Sequence, residues 1–137
     1  MMKMKKILLD TNFLMICFQF RVDIFTELDR VCNFDFKLFV LDKTIEELEK
    51  IVGEQKGKNK EAAKIALKLI AIKKINIIKT KSNRKTDDVI RDIAAKDNYI
   101  VATQDKDLKR RLINQGASVI VLRQKKVLAI INDKGFA

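Results

Sequence analysis

Residues 6–12 read Lys6-Ile7-Leu8-Leu9-Asp10-Thr11-Asn12. Three apolar residues in unbroken succession, rather than alternating with polar ones, fit a strand covered on both faces, as strands of parallel sheets are. The run stops at a carboxylate. The same grammar returns further along, where Tyr99-Ile100-Val101-Ala102-Thr103-Gln104-Asp105 again carries a buried strand into an aspartate.

Between these two strands the chain alternates. Phe13 to Phe20 and Asp23 to Cys32 have helical periodicity, the second with Ile24, Phe25, Leu28, Val31 and Cys32 at three-to-four spacing. Leu38 to Leu41 reads as a strand, followed by a cap at Asp42 or Thr44 and a helix through Ile51. Gly53 to Asn59 reads as a polar loop, Lys60 to Lys74 as a helix, Ile75 to Ile78 as a short strand and Lys79 to Lys85 as a basic loop. Thr86 is expected to cap a helix from Asp87 to about Lys96. After the strand at Tyr99 to Ala102, Lys106 to Asn114 is helical and ends at Gly116, a residue suited to the left-handed turn beyond a helix. Ser118 to Leu122 closes the pattern as a strand. Strands alternating with helices predict a three-layer α/β/α sandwich with a central parallel sheet, in one domain over residues 1–137.

Composition narrows the function. The 137 residues include 47% hydrophobic ones, enough for a core without covalent staples. Ile7 to Leu9 is too short an apolar run for a signal peptide or a membrane span, so a cytoplasmic protein without a membrane partner is expected. Cys17 and Cys32 lie in apolar surroundings, and the absence of histidine leaves no common four-ligand zinc site, so both are read as buried thiols. Phe13, Phe18, Phe20 and Phe25 are assigned to the core, with a homodimer face as the alternative.

The net charge is +11, and it is unevenly spread: Lys56 to Lys85 holds eleven Lys or Arg against a single acid, Glu61. Such a segment is a candidate phosphate-binding surface through counterion release, or else a solvated lysine-rich face. Lys60, Lys64 and Lys68 fall on one side of their helix, and Arg84 and Lys85 end the basic loop.

In parallel sheets ligands bind beyond the carboxyl ends of the strands. Asp10 and Asp105 follow strands directly, while Leu38 to Leu41 and Lys79 to Thr86 lead into helices whose first turns carry Glu46, Glu47, Asp87 and Asp88. At 100° per residue Asp87 lies on the side of Ile90 and Ala94, whereas Asp88 faces Asp92 and Ala95, so Asp87 is the inward candidate. Glu47 is preferred to Glu46 because it adjoins Leu48. Glu46 and Asp88 stay as alternatives. Taken singly, such residues are ordinarily helix caps or complements to a helix dipole, and Asp107 is expected to be the cap of its helix. Together, Asp10, Glu47, Asp87 and Asp105 would repel one another unless cations intervene, and an all-oxygen donor set favours Mg²⁺ or Mn²⁺. Asn12 and Thr103 are the candidates for orienting these ligands by hydrogen bonds.

With those residues in place the sequence resembles the PIN-domain nucleases, from Ile7-Leu8-Leu9-Asp10-Thr11-Asn12 to Ser118-Val119-Ile120-Val121-Leu122. The resemblance implies a metal-dependent endoribonuclease whose four acids fall on Asp10, Glu47, Asp87 and Asp105. Tyr99 to Arg111 is most similar to the branch that processes small-subunit ribosomal RNA precursors, which implies an rRNA precursor as substrate. The extensions and zinc module common in that branch are absent, and VapC-type toxins share the carboxylate pattern on stand-alone domains of this size. Two other classes compete: an RNA-binding assembly factor with a degenerate acidic cluster, and an aspartyl-phosphate phosphatase. The haloacid-dehalogenase-like pattern needs an aspartate where this chain has Asn12.

Overall fold

The computed structural model describes residues 4–80 and 83–132 and the backbone of 135–136. Ile7, Leu8 and Leu9 are all fully buried, and the strand that contains them, β1 (Lys5–Leu9), lies in the interior of the sheet. Two strands flank it in parallel: β2 (Phe36–Leu41) on one side and β4 (Ile100–Ala102) on the other. Beyond them lie β3 (Asn76–Ile78) and β5 (Val119–Arg123), also parallel. The helices are α1 (Thr11–Gln19), α2 (Ile24–Val31), α3 (Asp42–Glu54), α4 (Lys58–Ile72), α5 (Thr86–Asp97) and α6 (Lys106–Asn114).

The pleat of β1 divides the core. Ile7 and Leu9 face α1 to α4 through Phe13, Leu14, Leu28, Leu48 and Ala63, whereas Leu8 faces α5 and α6 through Ile90, Leu108 and Leu112. Apolar side chains on both faces of a strand account for its uninterrupted Ile-Leu-Leu run, and the three-layer α/β/α arrangement follows. Every parallel strand then ends on one edge, where Asp10, Asp42, Thr103 and Arg123 emerge.

The sheet differs from the expectation in extent. β6 (Val127–Asn132) pairs antiparallel with β5, and β7 (Gly135–Phe136) pairs antiparallel with β6, in the order β3-β2-β1-β4-β5-β6-β7. The sheet is therefore parallel in five strands and antiparallel at one margin. The expected loop from Gly53 to Asn59 shrinks to residues 55–57, because α3 runs on to Glu54 and α4 begins at Lys58. No side chain caps α3 or α5: Leu41 and Lys85 hold the cap positions, and Asp42 and Thr86 are the first helical residues. In the basic loop Lys79 to Lys85, residues 81 and 82 lie outside the described residues. The stop at Gly116 matches its reading. Gly116 has φ +89° and gives its N–H to the Ile113 carbonyl while Ala117 gives its own to Leu112, the paired bonds that close a helix with a left-handed residue.

Among the described residues no helix is long and apolar enough to cross a membrane. Both cysteines are free and buried, and burial pushes the Cys17 thiol up to about 12. Of the four phenylalanines assigned to the core, Phe13 is fully buried and Phe18 and Phe25 pack partly against it, but Phe20 is 43% exposed.

Candidate active site at the carboxyl edge of the sheet

The central acid is Asp10, 7% exposed at the junction of β1 and α1. One carboxylate oxygen accepts the Thr11 N–H at 2.9 Å and the other accepts the hydroxyl of Thr103 at 2.9 Å. Thr103 is fully buried, and its oxygen in turn accepts the Asp105 N–H at 3.1 Å. One hydroxyl thus ties the ends of β1 and β4 together.

Glu47 and Asp87 come up beside Asp10 from α3 and α5. Burial, opposed by the two threonine-side hydrogen bonds and reinforced by the charges of Asp87 and Glu47, raises the Asp10 carboxyl from its ordinary 3.8 to about 6. Glu47 is raised as well, by burial and by Asp87, although a hydrogen bond to Thr11 pulls the other way. Burial also raises Asp87, as do Asp105, Asp107 and Asp88. Asp10 feels the charges of Asp87 and Glu47; exposure does not separate the members of either pair, since Glu46 and Glu47 are both exposed on α3 and Asp87 and Asp88 are both half-buried on α5. Asp105 adjoins Asp87 but turns one oxygen into its own helix, accepting Leu108 N–H at 2.9 Å. Asp105, not Asp107, is the cap of α6; Asp107 is exposed and pairs with Arg110 and Arg111.

Asn12 occupies a different place from the one expected. A helix that begins at Thr11 turns the next residue outward, so Asn12 is exposed, and among the described residues it shares no hydrogen bond with the four acids. Thr11 is the buried neighbour instead: its N–H donates to Asp10 and its hydroxyl to Thr44 at 3.0 Å. Thr44, 1% exposed, sits one turn before Leu48 on the inward side of α3. That periodicity is the signal by which it could have been found.

The basic loop is strapped to this edge. Asp42 accepts the Thr80 N–H at 3.0 Å, the Thr80 hydroxyl at 2.7 Å and the Lys43 N–H at 2.8 Å. The Lys43 ammonium donates to the Arg84 carbonyl at 2.7 Å, and the Arg84 side chain pairs with Asp92. Lys85 is exposed just before α5. Asp42→Ala is expected to cost on the order of 1 kcal/mol in urea unfolding and to speed tryptic cleavage after Arg84 and Lys85. Unchanged digestion would show that the strap does not hold the loop. Lys64 and Lys68 are exposed on α4, and Lys60 is half-buried there.

Among the described residues no ion pair engages Asp10, Glu47, Asp87 or Asp105; Lys43 and Arg111 are the cations whose charge reaches Glu47 and Asp87. Nor do any three of the acids lie close enough to hold one ion directly. Hard oxygens carrying uncompensated charge suit a hydrated cation of the Mg²⁺ kind, which takes one or two carboxylates and reaches the others through water. They do not suit a dry cage.

Known proteins share this fold. The PIN like domain family matches residues 7–125. Ribonuclease VapC4 of Methanocaldococcus jannaschii is 34% identical over 127 residues, 93% of this chain and 97% of that protein. Ribonuclease VapC9 of Archaeoglobus fulgidus is 32% identical over 125 residues, 90% of this chain and 87% of that one. Among solved structures, the PIN domain endonuclease Utp24 superposes with a TM-score of 0.74 at 24% identity, covering 91% of this chain and 90% of the other. A domain of a functionally unknown protein from M. jannaschii superposes with a TM-score of 0.58 at 18% identity, over 87% and 91% of the two chains.

Proposed function

Because the chain belongs to the PIN like domain family, we propose that it is a divalent-metal-dependent endoribonuclease hydrolysing RNA phosphodiester bonds at the acidic edge of the sheet. The observation that carries the reading is the meeting of Asp10, Glu47 and Asp87, from three separate elements, with their charges uncompensated by any ion pair among the described residues. Asp10 and Asp87, with Glu47, would hold Mg²⁺ or Mn²⁺ partly through water, and Asp105 would support Asp87. Such a cation, when bound, would supply an acidified water for attack on phosphorus and would offset the charge gathering on the phosphate oxygens. The protein's own contribution is to fix its ligands. Thr103 and the Thr11 N–H hold both oxygens of Asp10.

RNA is the substrate class that the family's ribonucleases and the net charge of +11 suggest. Lys64 and Lys68, with Lys60, Arg84 and Lys85, are proposed to hold the polyanion. Lys64→Glu with Lys68→Glu is expected to weaken RNA binding and flatten its salt dependence by about 0.7 per lost phosphate contact. A titration that leaves both unchanged would move the contact elsewhere.

Within this activity two targets are supported. The Tyr99 to Arg111 segment favours an rRNA precursor, and the relatives named ribonuclease VapC favour a VapC-type enzyme acting on tRNA or another RNA. Incubation with total cellular RNA and Mn²⁺, with sequencing of the new ends, tests the activity and separates the targets. New ends are expected that vanish with chelator and with Asp10→Asn; ends that persist in both would refute the assignment.

A further inference from the structure

On the far side of the acids from the basic loop, β5 leaves the sheet edge through a three-residue connection, 124–126, whose tight turn over 123–126 is closed by the Lys126 N–H on the Arg123 carbonyl at 3.0 Å. Both central residues, Gln124 and Lys125, are left-handed, at φ 53° and 57°. Such turns ordinarily take Asn-Gly, because a side chain is strained there, and strain of this kind gathers at functional positions. Arg21, between α1 and α2, is left-handed too, at φ 56°.

Lys125 and Arg21 meet at one notch of about 200 Å³, lined also by Phe20, Lys126, Asp23 and Glu27. Phe20 is the exposed aromatic of the first helical region, and the Lys125 ammonium stands 5.1 Å from its ring centroid. The two acids are already engaged. Asp23 accepts the N–H and hydroxyl of Thr26, and Glu27 accepts Arg30 and the Leu128 N–H. Arg21, Lys125 and Lys126 form no ion pair among the described residues. A solvent-exposed ring covered only by a flexible lysine, beside cations without carboxylate partners, suits an unpaired nucleotide, whose base stacks while its phosphates meet the charges. The notch also has a fixed relation to the acids. The Gln104 side chain bonds both the N–H and the carbonyl of Leu122, fastening the end of β5 to that of β4, and β5 is two strand spacings, about 10 Å, from β1.

We propose that this notch is a nucleotide subsite: the base of one unpaired nucleotide stacks on Phe20, and Arg21, Lys125 and Lys126 take the adjoining phosphates, guiding a single strand across the acidic edge. The incoming base displaces the lysine from the ring and leaves it at the phosphate. The inference depends on the nuclease reading, and its test keeps the two apart.

The test is binding of a labelled oligouridine to the full chain, made inactive by Asp10→Asn. Adding Phe20→Ala is expected to weaken binding about tenfold, while Phe20→Trp, which keeps a stacking face, binds as the parent does. Lys125→Gln with Lys126→Gln is expected to reduce the salt slope by about 1.4. Unchanged affinity and slope in these variants, with RNA still cut by the otherwise natural chain, would overturn the subsite alone. Polyglutamate competing as well as oligouridine would also overturn it, marking a plain anion patch. A natural chain that cuts no RNA would instead overturn the nuclease reading.

Discussion

Asp10→Asn is expected to cut RNA roughly 10² to 10³-fold more slowly and, freed of metal, to melt several degrees higher than the natural chain. Both effects come from the same carboxylate. As a ligand it would contribute charge that the amide lacks, so cleavage falls while RNA affinity, held by the basic surfaces, is retained. Without metal that charge is a burden: burial first, then Asp87 and Glu47, raises Asp10 from 3.8 to about 6. The fold therefore favours the protonated form. Below about pH 4 the acid is neutral folded or unfolded and there is no penalty. Between 4 and 6 the unfolded chain ionises first and stability declines, and above 6 the penalty is complete. At 1.36 kcal/mol per pKa unit it is on the order of 1–3 kcal/mol, and asparagine escapes it while remaining within reach of Thr103. Calorimetry with EDTA at pH 7.5 and pH 4.5 checks this: the variant's advantage should be present at the first and fade at the second. A variant that melts below the natural protein at pH 7.5 would contradict the account. Mn²⁺ should then raise the melting temperature of the natural chain and not of the variant.

Burial on both faces made the sheet legible in the sequence. Ile7 to Leu9 and Ile100 to Ala102 are continuous apolar runs because α1 to α4 cover one side and α5 and α6 the other, and each run ends where the topology places an edge. The acids could be found because strand ends can be found. The choice of Asp87 over Asp88 rests on helical rotation and that of Glu47 over Glu46 on its place beside Leu48; the exposure of these residues separates neither pair. Asn12 was misplaced for the same reason in reverse: α1 begins at Thr11, with only Asp10 between it and the strand, and so turns the threonine inward. The β5–β6 turn was illegible because Gln124 and Lys125 carry none of the chemistry that marks a tight turn, and β6 was lost with it. The Asp42 strap joins residues 38 positions apart, and no local pattern announces such a contact.

Thr103→Val is expected to lower cleavage by about 10 to 100-fold and stability by on the order of 1–3 kcal/mol, although the side chain keeps its shape and volume. The hydroxyl is fully buried and does two things at once, donating to Asp10 and accepting from the Asp105 N–H. A methyl group does neither. Asp10 loses the hydrogen bond that most lowers its pKa, so its charged form becomes still less favourable, and the Asp105 N–H is left without its acceptor at the start of α6. Two acids on neighbouring strands thus lose their common link. Because the effect runs through ligand charge and placement, the Mn²⁺ concentration for half-maximal cleavage should rise, a shift that a general loosening of the fold would not produce. Thr103→Ser keeps the hydroxyl and gives up only a methyl, so it should restore most of the activity and the metal requirement. If valine cuts RNA within about twofold of threonine at the same metal concentration, the hydroxyl does not position the acids, and Asp10 is held by the Thr11 N–H alone.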